Sequence, residues 1–179
     1  MKKVIFITGI DTDSGKSYAT GLLAAWLLRQ GHKVITQKPV QTGCADFSED
    51  ILLHRKLMGI PLQEVDKEGL TAPYIFPIPA SPHLAARLAG KEINLEKIDS
   101  ATRELLKRYD IVLIEGAGGL LSPISENIST ADFIVQRNYP VILVTSAKIG
   151  SINHTLLTIE ALNKRNIRLL GTIYNQYPV

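Results

Sequence analysis

The sequence has few of the features that mark several large classes of protein. Its 179 residues include one cysteine, Cys44, which excludes both an intrachain disulfide framework and a zinc site built from cysteines. The formal net charge is only +3 and no long basic run concentrates it, which argues against a nucleic-acid-binding protein. No stretch approaches the roughly 18 consecutive apolar residues of a membrane span.

The amino terminus gives no sign of an export signal. Lys2 and Lys3 precede an apolar run at residues 4–7 that is far too short for a signal peptide, and a glycine-containing loop follows in place of a cleavage site. The sequence therefore predicts a cytoplasmic protein with no membrane or nucleic-acid partner. Its length suits a single domain over residues 1–179, large enough to bury a core without disulfide or metal support.

One loop dominates the chemistry that the sequence predicts. It spans residues 9–17, reads GIDTDSGKS, and joins an apolar run at residues 4–8 to a helical pattern at residues 19–29. In such an arrangement backbone N–H groups at the helix start point at phosphate oxygens, Lys16 adds a cation, and the Ser17 hydroxyl can bind Mg²⁺. Five residues separate its two glycines, where the standard pattern has four. An ordinary strand–turn–helix corner is the alternative interpretation.

Apolar runs and helical patterns alternate along the chain. Buried strands are predicted at residues 4–8, 33–37, 110–114, 141–145 and 169–174. Helices are predicted at residues 19–29, 46–58, 95–108 and 131–137, and after residues 82 and 148. This alternation predicts an α/β fold of three layers, with one mostly parallel central sheet covered by helices on both faces. Trp26 is expected in the core with Leu22, Leu23 and Leu27. Residues 59–82 are expected to be irregular, as loops that cover functional sites often are.

Polar side chains stand where two of the predicted strands end. Lys38 follows the second strand, and Glu115 follows the third, with the glycine-rich residues 116–119 after it. Because ligands of open α/β sheets bind beyond the carboxyl ends of the strands, Lys38 is predicted to contact an anion beside the phosphate loop. Glu115 is predicted to contact Mg²⁺, since a carboxylate in this position is costly unless solvent or a cation compensates its charge.

Three further positions have two interpretations each on residue type alone. Asp50 is either a metal ligand or one of several acidic residues that suit the first turn of a helix. His83 either lies at the surface or faces a substrate. Ser151 either caps a helix or, with Asn153, presents the start of that helix to a carboxylate.

Five segments follow one another along the chain: residues 9–17, Lys38-Pro39-Val40, Ser81-Pro82-His83, Glu115-Gly116-Ala117-Gly118-Gly119 and Gly150-Ser151-Ile152-Asn153-His154. In this order they resemble the dethiobiotin synthetase family over essentially the whole chain, from Gly9 to Asn175. No single segment is unique to that family, but the five together are highly specific, and the lengthened phosphate loop is part of the match.

The resemblance implies a P-loop NTPase fold and an ATP-dependent cyclo-ligase. The family converts 7,8-diaminopelargonate, CO₂ and ATP to dethiobiotin, ADP and phosphate in biotin biosynthesis. One amine takes up CO₂ as a carbamate, ATP phosphorylates it to a carbamic–phosphoric mixed anhydride, and the second amine displaces phosphate. The resemblance further implies Mg²⁺, ATP as co-substrate, and a homodimer whose interface holds the substrate carboxylate.

The family's site residues match positions of this sequence one by one. Lys38 stands in the catalytic-lysine position, and Lys16 is expected to supply positive charge with it. The expected Mg²⁺ ligands are Ser17, Asp50 and Glu115, which favours the metal interpretation of Asp50. The expected nucleotide contacts are Asp13, Ser14, Gly15, Lys16, Ser17, Tyr18, Asp50, Glu115, Gly116, Ala117, Gly118, Asn175 and Gln176. The expected substrate contacts are Thr12, Thr42, Ser81, Gly150, Ser151 and Asn153.

The sequence departs from the family's pattern at several positions. Asp13 replaces a frequent Glu, Ser17 a usual Thr and Thr42 a usual Ser, each keeping the chemical group, while Gln176 replaces a common Asp. Family members usually continue for some tens of residues past Asn175, with a strand and a loop that help to enclose the adenine, and this segment is absent here. Two other functions stay open: a partition-type P-loop ATPase switch, and a truncated, inactive member of the family.

Overall fold

The chain alternates strands and helices as the sequence predicts, with several short elements added. The computed structural model describes residues 2–176. Its strands are β1 (Lys3–Gly9), β2 (Val34–Gln37), β3 (Val40–Thr42), β4 (Tyr74–Phe76), β5 (Ile111–Gly119), β6 (Pro123–Ser125), β7 (Ile128–Ser129), β8 (Val141–Ser146) and β9 (Leu169–Asn175). Its helices are α1 (Lys16–Arg29), α2 (Glu49–Met58), α3 (Glu64–Lys67), α4 (Pro82–Leu88), α5 (Leu95–Arg108), α6 (Thr130–Arg137) and α7 (Ser151–Lys164).

The central sheet has five parallel strands in the order β2-β5-β1-β8-β9, which confirms the predicted fold class. Successive side chains of β1 point to opposite faces, so Phe6 packs in the largest apolar cluster and Ile7 in another, beneath α1. Since all five strands run the same way, their carboxyl ends meet at one edge. That edge carries the loop after β1, Lys38 after β2 and Asn175 at the end of β9.

Helices α1 and α2 pack closely at Gly21. A Cβ atom there would lie 2.7 Å from Leu57 Cδ1 and 3.3 Å from the His54 backbone, so a larger residue would push the two helices apart. This close approach positions Ser17, near the start of α1, beside Asp50 near the start of α2. Their side-chain oxygens are 2.8 Å apart.

The prediction that Trp26 lies in the core is wrong. Trp26 is 51% exposed and Leu22 is also exposed, whereas Ala24 and Leu27 are buried. Apolar residues surround most of α1, so their spacing does not identify the stripe that faces the sheet. In the structure Leu23 and Leu27 pack toward the sheet, whereas Leu22 and Trp26 lie outside the apolar clusters.

Residues 59–82 are more ordered than predicted. They contain the one-turn helix α3 and the strand β4, which pairs in parallel with β3 through Val40 and Tyr74. Asp66 in α3 forms an ion pair with Arg55 of α2, 2.7 Å long and buried, which ties this segment to the core. Elements of three or four residues are too short for hydrophobic periodicity to detect. The same reason explains the unpredicted hairpin of β6 and β7.

Two predicted boundaries also shift. Helix α2 begins at Glu49 rather than at Asp46, because the Ser48 hydroxyl caps it by accepting a hydrogen bond from the Ile51 N–H. Strand β5 continues to Gly119, so Glu115 lies within the strand, opposite Ile7. None of the helices in the described part of the chain is both long and apolar enough to cross a bilayer. That residues 1–179 form one domain stays a prediction.

Candidate active site

A cavity of about 830 Å³ opens at the edge where the parallel strands end. The sequence-predicted residues that line it are Thr12, Asp13, Gly15, Lys16, Ser17, Tyr18, Lys38, Thr42, Asp50, Ser81, Glu115, Ala117, Gly118 and Asn175. The structure thus gathers residues from distant parts of the chain, from Thr12 to Asn175, into one cavity.

Other predicted residues lie outside the lining of this cavity. Ser14 is buried in the phosphate loop, Gly116 presents its backbone carbonyl to Lys38, and Gln176 is exposed just past β9. The remaining ones are grouped at the start of α7: Gly150, Ser151 and Asn153. The lining also includes residues that the sequence did not assign to the site, and these are Val40, Gln41, Leu53, Pro79, Ala80, Pro82 and Ser122.

The phosphate loop holds its shape through left-handed backbone and a contact with Asn175. Asp13 and Gly15 have φ angles of 56° and 92°. A Cβ atom on Gly15 would lie 2.4 Å from Asn175 Nδ2, and that amide donates a hydrogen bond of 3.3 Å to the Ser14 carbonyl. Gly15 is therefore required twice, for its φ angle and for the close approach of Asn175.

Lys16 is buried beside the loop and donates a 2.7 Å hydrogen bond to the Asp11 carbonyl. Burial, together with the neighbouring charge of Lys38, lowers the pKa of Lys16 from 10.5 to about 8. A phosphate group in the cavity would favour the charged form, since it places negative charge where two ammonium groups lie close together.

Lys38 is the centre of a cluster of charged groups. Its Nζ atom lies 2.8 Å from Asp50 Oδ2 and 2.8 Å from Glu115 Oε1, and it donates a third hydrogen bond, 3.1 Å long, to the Gly116 carbonyl. Burial opposes the charge of Lys38, but Glu115 and Asp50 outweigh it and raise the pKa of the lysine above its usual value. Burial would likewise raise the pKa of Glu115, yet the Lys38 charge and a hydrogen bond from His54 hold it well below its usual range. The pair is therefore ionised on both sides at neutral pH.

His54 is a site residue that the sequence analysis missed. Its side chain is fully buried, and its Nε2 atom lies 2.8 Å from Glu115 Oε2. The available signal was spacing: His54 follows Asp50 by four residues, which places both on one face of α2. A histidine within an apolar helical stripe gives no sign of which strand it will contact.

The oxygen atoms of Ser17, Asp50 and Glu115 fit the geometry of a Mg²⁺ site. Ser17 Oγ lies 2.8 Å from Asp50 Oδ1 and 2.8 Å from Glu115 Oε1. Adjacent ligands of an octahedral Mg²⁺ with 2.0–2.1 Å bonds are separated by a similar distance, about 2.9 Å. Within residues 2–176 no three His, Cys, Asp or Glu side chains form a metal site by themselves. Two carboxylates and a hydroxyl suit Mg²⁺ nevertheless, because this ion usually completes its shell with water and phosphate oxygens.

The interpretation of Ser151 as a helix cap is wrong, whereas a carboxylate contact of Ser151 and Asn153 stays a prediction. The capping position is Gly150, with a φ angle of 90°, and Ser151 is the first helical residue. The buried Ser151 hydroxyl lies 2.9 Å from Ser146 Oγ, while Asn153 is exposed. His83 also had two interpretations. Its side chain is half-buried, and its Nδ1 atom lies 3.1 Å from the hydroxyl of Ser81, a residue that lines the cavity.

The sequence is similar to a known protein family over nearly its whole length. A family model described as an AAA domain matches residues 3–179. ATP-dependent dethiobiotin synthetase BioD 2 of Pasteurella multocida is 55% identical over 178 residues, which cover 99% of this chain and 84% of that protein. ATP-dependent dethiobiotin synthetase BioD of Chlorobaculum tepidum is 50% identical, over 98% of this chain and 73% of that protein.

Solved structures share the fold at low sequence identity. The kinase domain of Escherichia coli tyrosine kinase ETK superposes with a TM-score of 0.59 at 17% identity, over 99% of this chain and 72% of that domain. The chimerical protein CapA2B2 also gives a TM-score of 0.59, at 16% identity, over 100% of this chain and 78% of that protein. These likenesses describe the P-loop architecture alone.

Proposed function

The chain belongs to the ATP-dependent dethiobiotin synthetase family, whose members are ATP-dependent cyclo-ligases of biotin biosynthesis, and on this premise we propose how its cavity carries out the reaction. The observation that carries the proposal is the position of Lys38, which follows β2, opposite the phosphate loop and within the same cavity. Two anions have to meet there, a carbamate and the γ-phosphoryl group of ATP. A reaction between anions needs concentrated positive charge and fixed alignment.

The proposed reaction has three steps. One amine of 7,8-diaminopelargonate forms a C–N bond to CO₂ and loses a proton, which gives a carbamate. A carbamate oxygen then attacks the γ-phosphorus, and ADP leaves with the electron pair of the broken P–O bond. The second amine attacks the carbonyl carbon of the mixed anhydride, loses a proton and expels phosphate, which closes the ureido ring. Because ATP is the co-substrate, the proposal places the reaction in the cytoplasm.

Lys38 and Lys16 are the proposed catalytic residues. Both ammonium groups line the cavity and both are buried. Lys38 would stabilise charge on the oxygen that joins the carbamate to the phosphoryl group, and Lys16 would stabilise charge on the phosphate oxygens. Preorganised charges of this kind are among the largest contributions to catalysis in enclosed sites.

ATP is proposed to lie along the loop and the start of α1. Its phosphates would contact backbone N–H groups of residues 13–18, where the helix dipole favours negative charge. Residues 116–118 would approach the phosphates from β5. Asn175 packs against Gly15, which places an amide beside the loop where a purine base could be bound, and Gln176 follows it.

Mg²⁺ would be held by Ser17, Asp50 and Glu115, whose oxygens converge as described above. When bound, the ion would neutralise charge on the phosphate oxygens. The protein's own contribution is to hold these three oxygens together through the contact between α1 and α2 and the pairing of β5 with β1.

The diamine is proposed to bind between the phosphate loop and the segment before α4, near the hydroxyls of Thr12, Thr42 and Ser81. Its carboxylate would bind at Gly150, Ser151 and Asn153 of a second copy, since these residues lie outside the cavity lining of their own chain. A homodimer is supported by the apolar surface beside them, which carries Ile149, Ile152 and Leu156, all exposed.

Product detection tests the proposal. Purified protein with ATP, Mg²⁺, ¹³C-labelled bicarbonate and the diamine should form dethiobiotin with the label in the ureido carbon, together with one ADP per product. The control omits the diamine, and ATP turnover should then fall to background. ATP hydrolysis that proceeds equally without the diamine would overturn the ligase proposal in favour of a P-loop switch. Absence of both dethiobiotin and ADP would favour an inactive member of the family.

A further inference from the structure

We propose that His54 is a positioning residue, which orients the Glu115 carboxylate so that one of its oxygens faces the catalytic lysine and the metal ligands. The inference rests on the proposed function, because it concerns the same site. It does not follow from the phosphate loop or from the motifs that identify the family.

The two oxygens of Glu115 have separate partners. Oε1 lies 2.8 Å from the Ser17 hydroxyl and 2.8 Å from Lys38 Nζ, on the cavity side. Oε2 lies 2.8 Å from His54 Nε2, on the buried side. Tilting the carboxylate plane about its terminal bond would break the His54 contact, so this hydrogen bond fixes the orientation in which an oxygen is presented to the cavity.

The imidazole is itself held through both of its nitrogen atoms. Arg55 Nη1 donates a 2.8 Å hydrogen bond to Thr36 Oγ1, because a guanidinium can only donate. The Thr36 hydroxyl is then free to donate its own hydrogen to His54 Nδ1, 2.9 Å away. Because the ionised Glu115 carboxylate can only accept, Nε2 carries a hydrogen and donates it to Glu115.

A buried ion pair anchors this chain of hydrogen bonds. Arg55 binds both oxygens of Asp66, at 2.9 Å and 2.7 Å, and Asp66 also accepts a 2.7 Å hydrogen bond from the Thr71 hydroxyl. His54, Arg55 and Asp66 are all buried. Buried polar chains of this kind are rigid when every member has a partner.

Helix α2 therefore positions both carboxylates of the proposed metal site. It supplies Asp50 directly, and one turn later it supplies His54, which holds Glu115 from β5. Histidine and carboxylate partners that orient metal ligands typically contribute 10–100-fold to metal affinity or activity. The same magnitude is expected here.

Two matched substitutions separate positioning from packing. In His54→Gln the side-chain amide replaces Nε2 and can still donate to Glu115. In His54→Asn the shorter amide replaces Nδ1, so it can bond Thr36 but cannot reach Glu115. His54→Leu removes both contacts. The exposed Lys56 of the same helix provides a control, as Lys56→Ala.

The test measures Mn²⁺ affinity in the presence of ADP by electron paramagnetic resonance, with kcat and KM from dethiobiotin formation. His54→Leu and His54→Asn should bind Mn²⁺ about 10–100-fold more weakly and lose kcat by a similar factor, with KM for the diamine unchanged within about twofold. In His54→Gln, the Mn²⁺ affinity and kcat should both stay within about threefold of the wild-type values, because the amide still orients the Glu115 carboxylate.

Wild-type Mn²⁺ affinity in His54→Asn, or equal losses in His54→Asn and His54→Gln, would overturn the proposal. Urea unfolding of each variant without added metal shows whether it is folded, and the comparison of Gln with Asn decides the matter even if His54→Leu does not fold. If the wild type forms no dethiobiotin, the proposed function fails, whereas the Mn²⁺ affinities still decide the role of His54.

Discussion

Lys38 and Glu115 face each other across neighbouring strands, with Nζ and Oε1 2.8 Å apart. Strand β2 pairs with β5 so that Gln37 is opposite Ile114, and the two charged residues are the next along each strand. The register of the sheet therefore brings the charges together. Asp50 completes the cluster from α2.

Replacing Lys38 by alanine is expected to abolish turnover while the fold stays intact. The substitution removes the cation proposed to stabilise the transferring phosphoryl group, so kcat should fall by at least about 10³. Asp50 borders the cavity, and solvent there should relieve part of the repulsion between the carboxylates left behind. Dethiobiotin formation measures the activity, and circular dichroism measures the fold. Near-normal activity in Lys38→Ala would refute the role given to this residue.

Gly15→Ala is expected to weaken ATP binding at least about tenfold. The added methyl group would collide with the Asn175 amide, 2.4 Å away, in addition to straining a left-handed backbone at a cost of about 1–2 kcal/mol. Gly31→Ala is the matched control, because Gly31 has a φ angle of 85° with open space around it. Isothermal titration with ATP compares them. Equal ATP affinities in the two variants would show that the Asn175 contact has no effect on the nucleotide site.

The Arg55–Asp66 ion pair predicts a loss of stability in acid. Burial opposes ionisation of Asp66, but hydrogen bonds from Arg55 and its charge hold the pKa of Asp66 below its ordinary value of 3.8. The folded protein then binds fewer protons than the unfolded chain in this range, so the stabilisation is complete above about pH 5 and is lost as pH falls through the pKa of the folded state.

Urea unfolding at pH 7, 5, 4 and 3 measures this effect. Asp66→Asn should be about 3–5 kcal/mol less stable at pH 7, since it leaves a buried guanidinium unpaired, and its stability should change less between pH 5 and 3. Exposed Asp46 provides the control, and Asp46→Asn should keep the wild-type slope. An unchanged slope in Asp66→Asn would mean that other carboxylates cause the acid transition.

The proposed homodimer predicts that charges on α7 produce a monomer. Ile152 is 80% exposed and Leu156 lies one turn further along, so the double substitution Ile152→Lys, Leu156→Lys should shift sedimentation to the monomer and lower turnover. Leu88→Lys, at an exposed position near the end of α4, should change neither. A wild-type protein that is strictly monomeric yet active would rule out a carboxylate site shared between subunits.

The phosphate loop and the charged residues that follow apolar runs were the parts of the cavity that the sequence could predict. Lys38 and Glu115 follow apolar runs directly, and parallel strands bring such positions to one edge whatever else the fold contains. His54 could not be predicted in the same way. Its contacts lie 61 residues away on β5 and 18 residues away on β2, and no local pattern records that pairing.

For the fold, the sequence predicted the long strands and helices and missed the short strands. Long apolar strands and helices were found because their periodicity extends over many residues. Strands β3 and β4 were missed because each has three residues and is stabilised by its partner. Trp26 was wrongly predicted to be buried because the sequence of α1 does not indicate which side of the helix packs against the sheet.

The hydrogen bonds of Lys38 determine how an anion can bind to it in the cavity. An ammonium group carries three hydrogens, and all three of them have acceptors, in Glu115, Asp50 and the Gly116 carbonyl. An anionic oxygen can therefore bind Lys38 only by replacing one of these partners. Two of the partners are the carboxylates proposed to bind Mg²⁺. If metal and nucleotide bind as proposed, Ser17, Asp50 and Glu115 would hold the ion, and Lys38 would exchange its carboxylate partners for an anionic oxygen of a substrate.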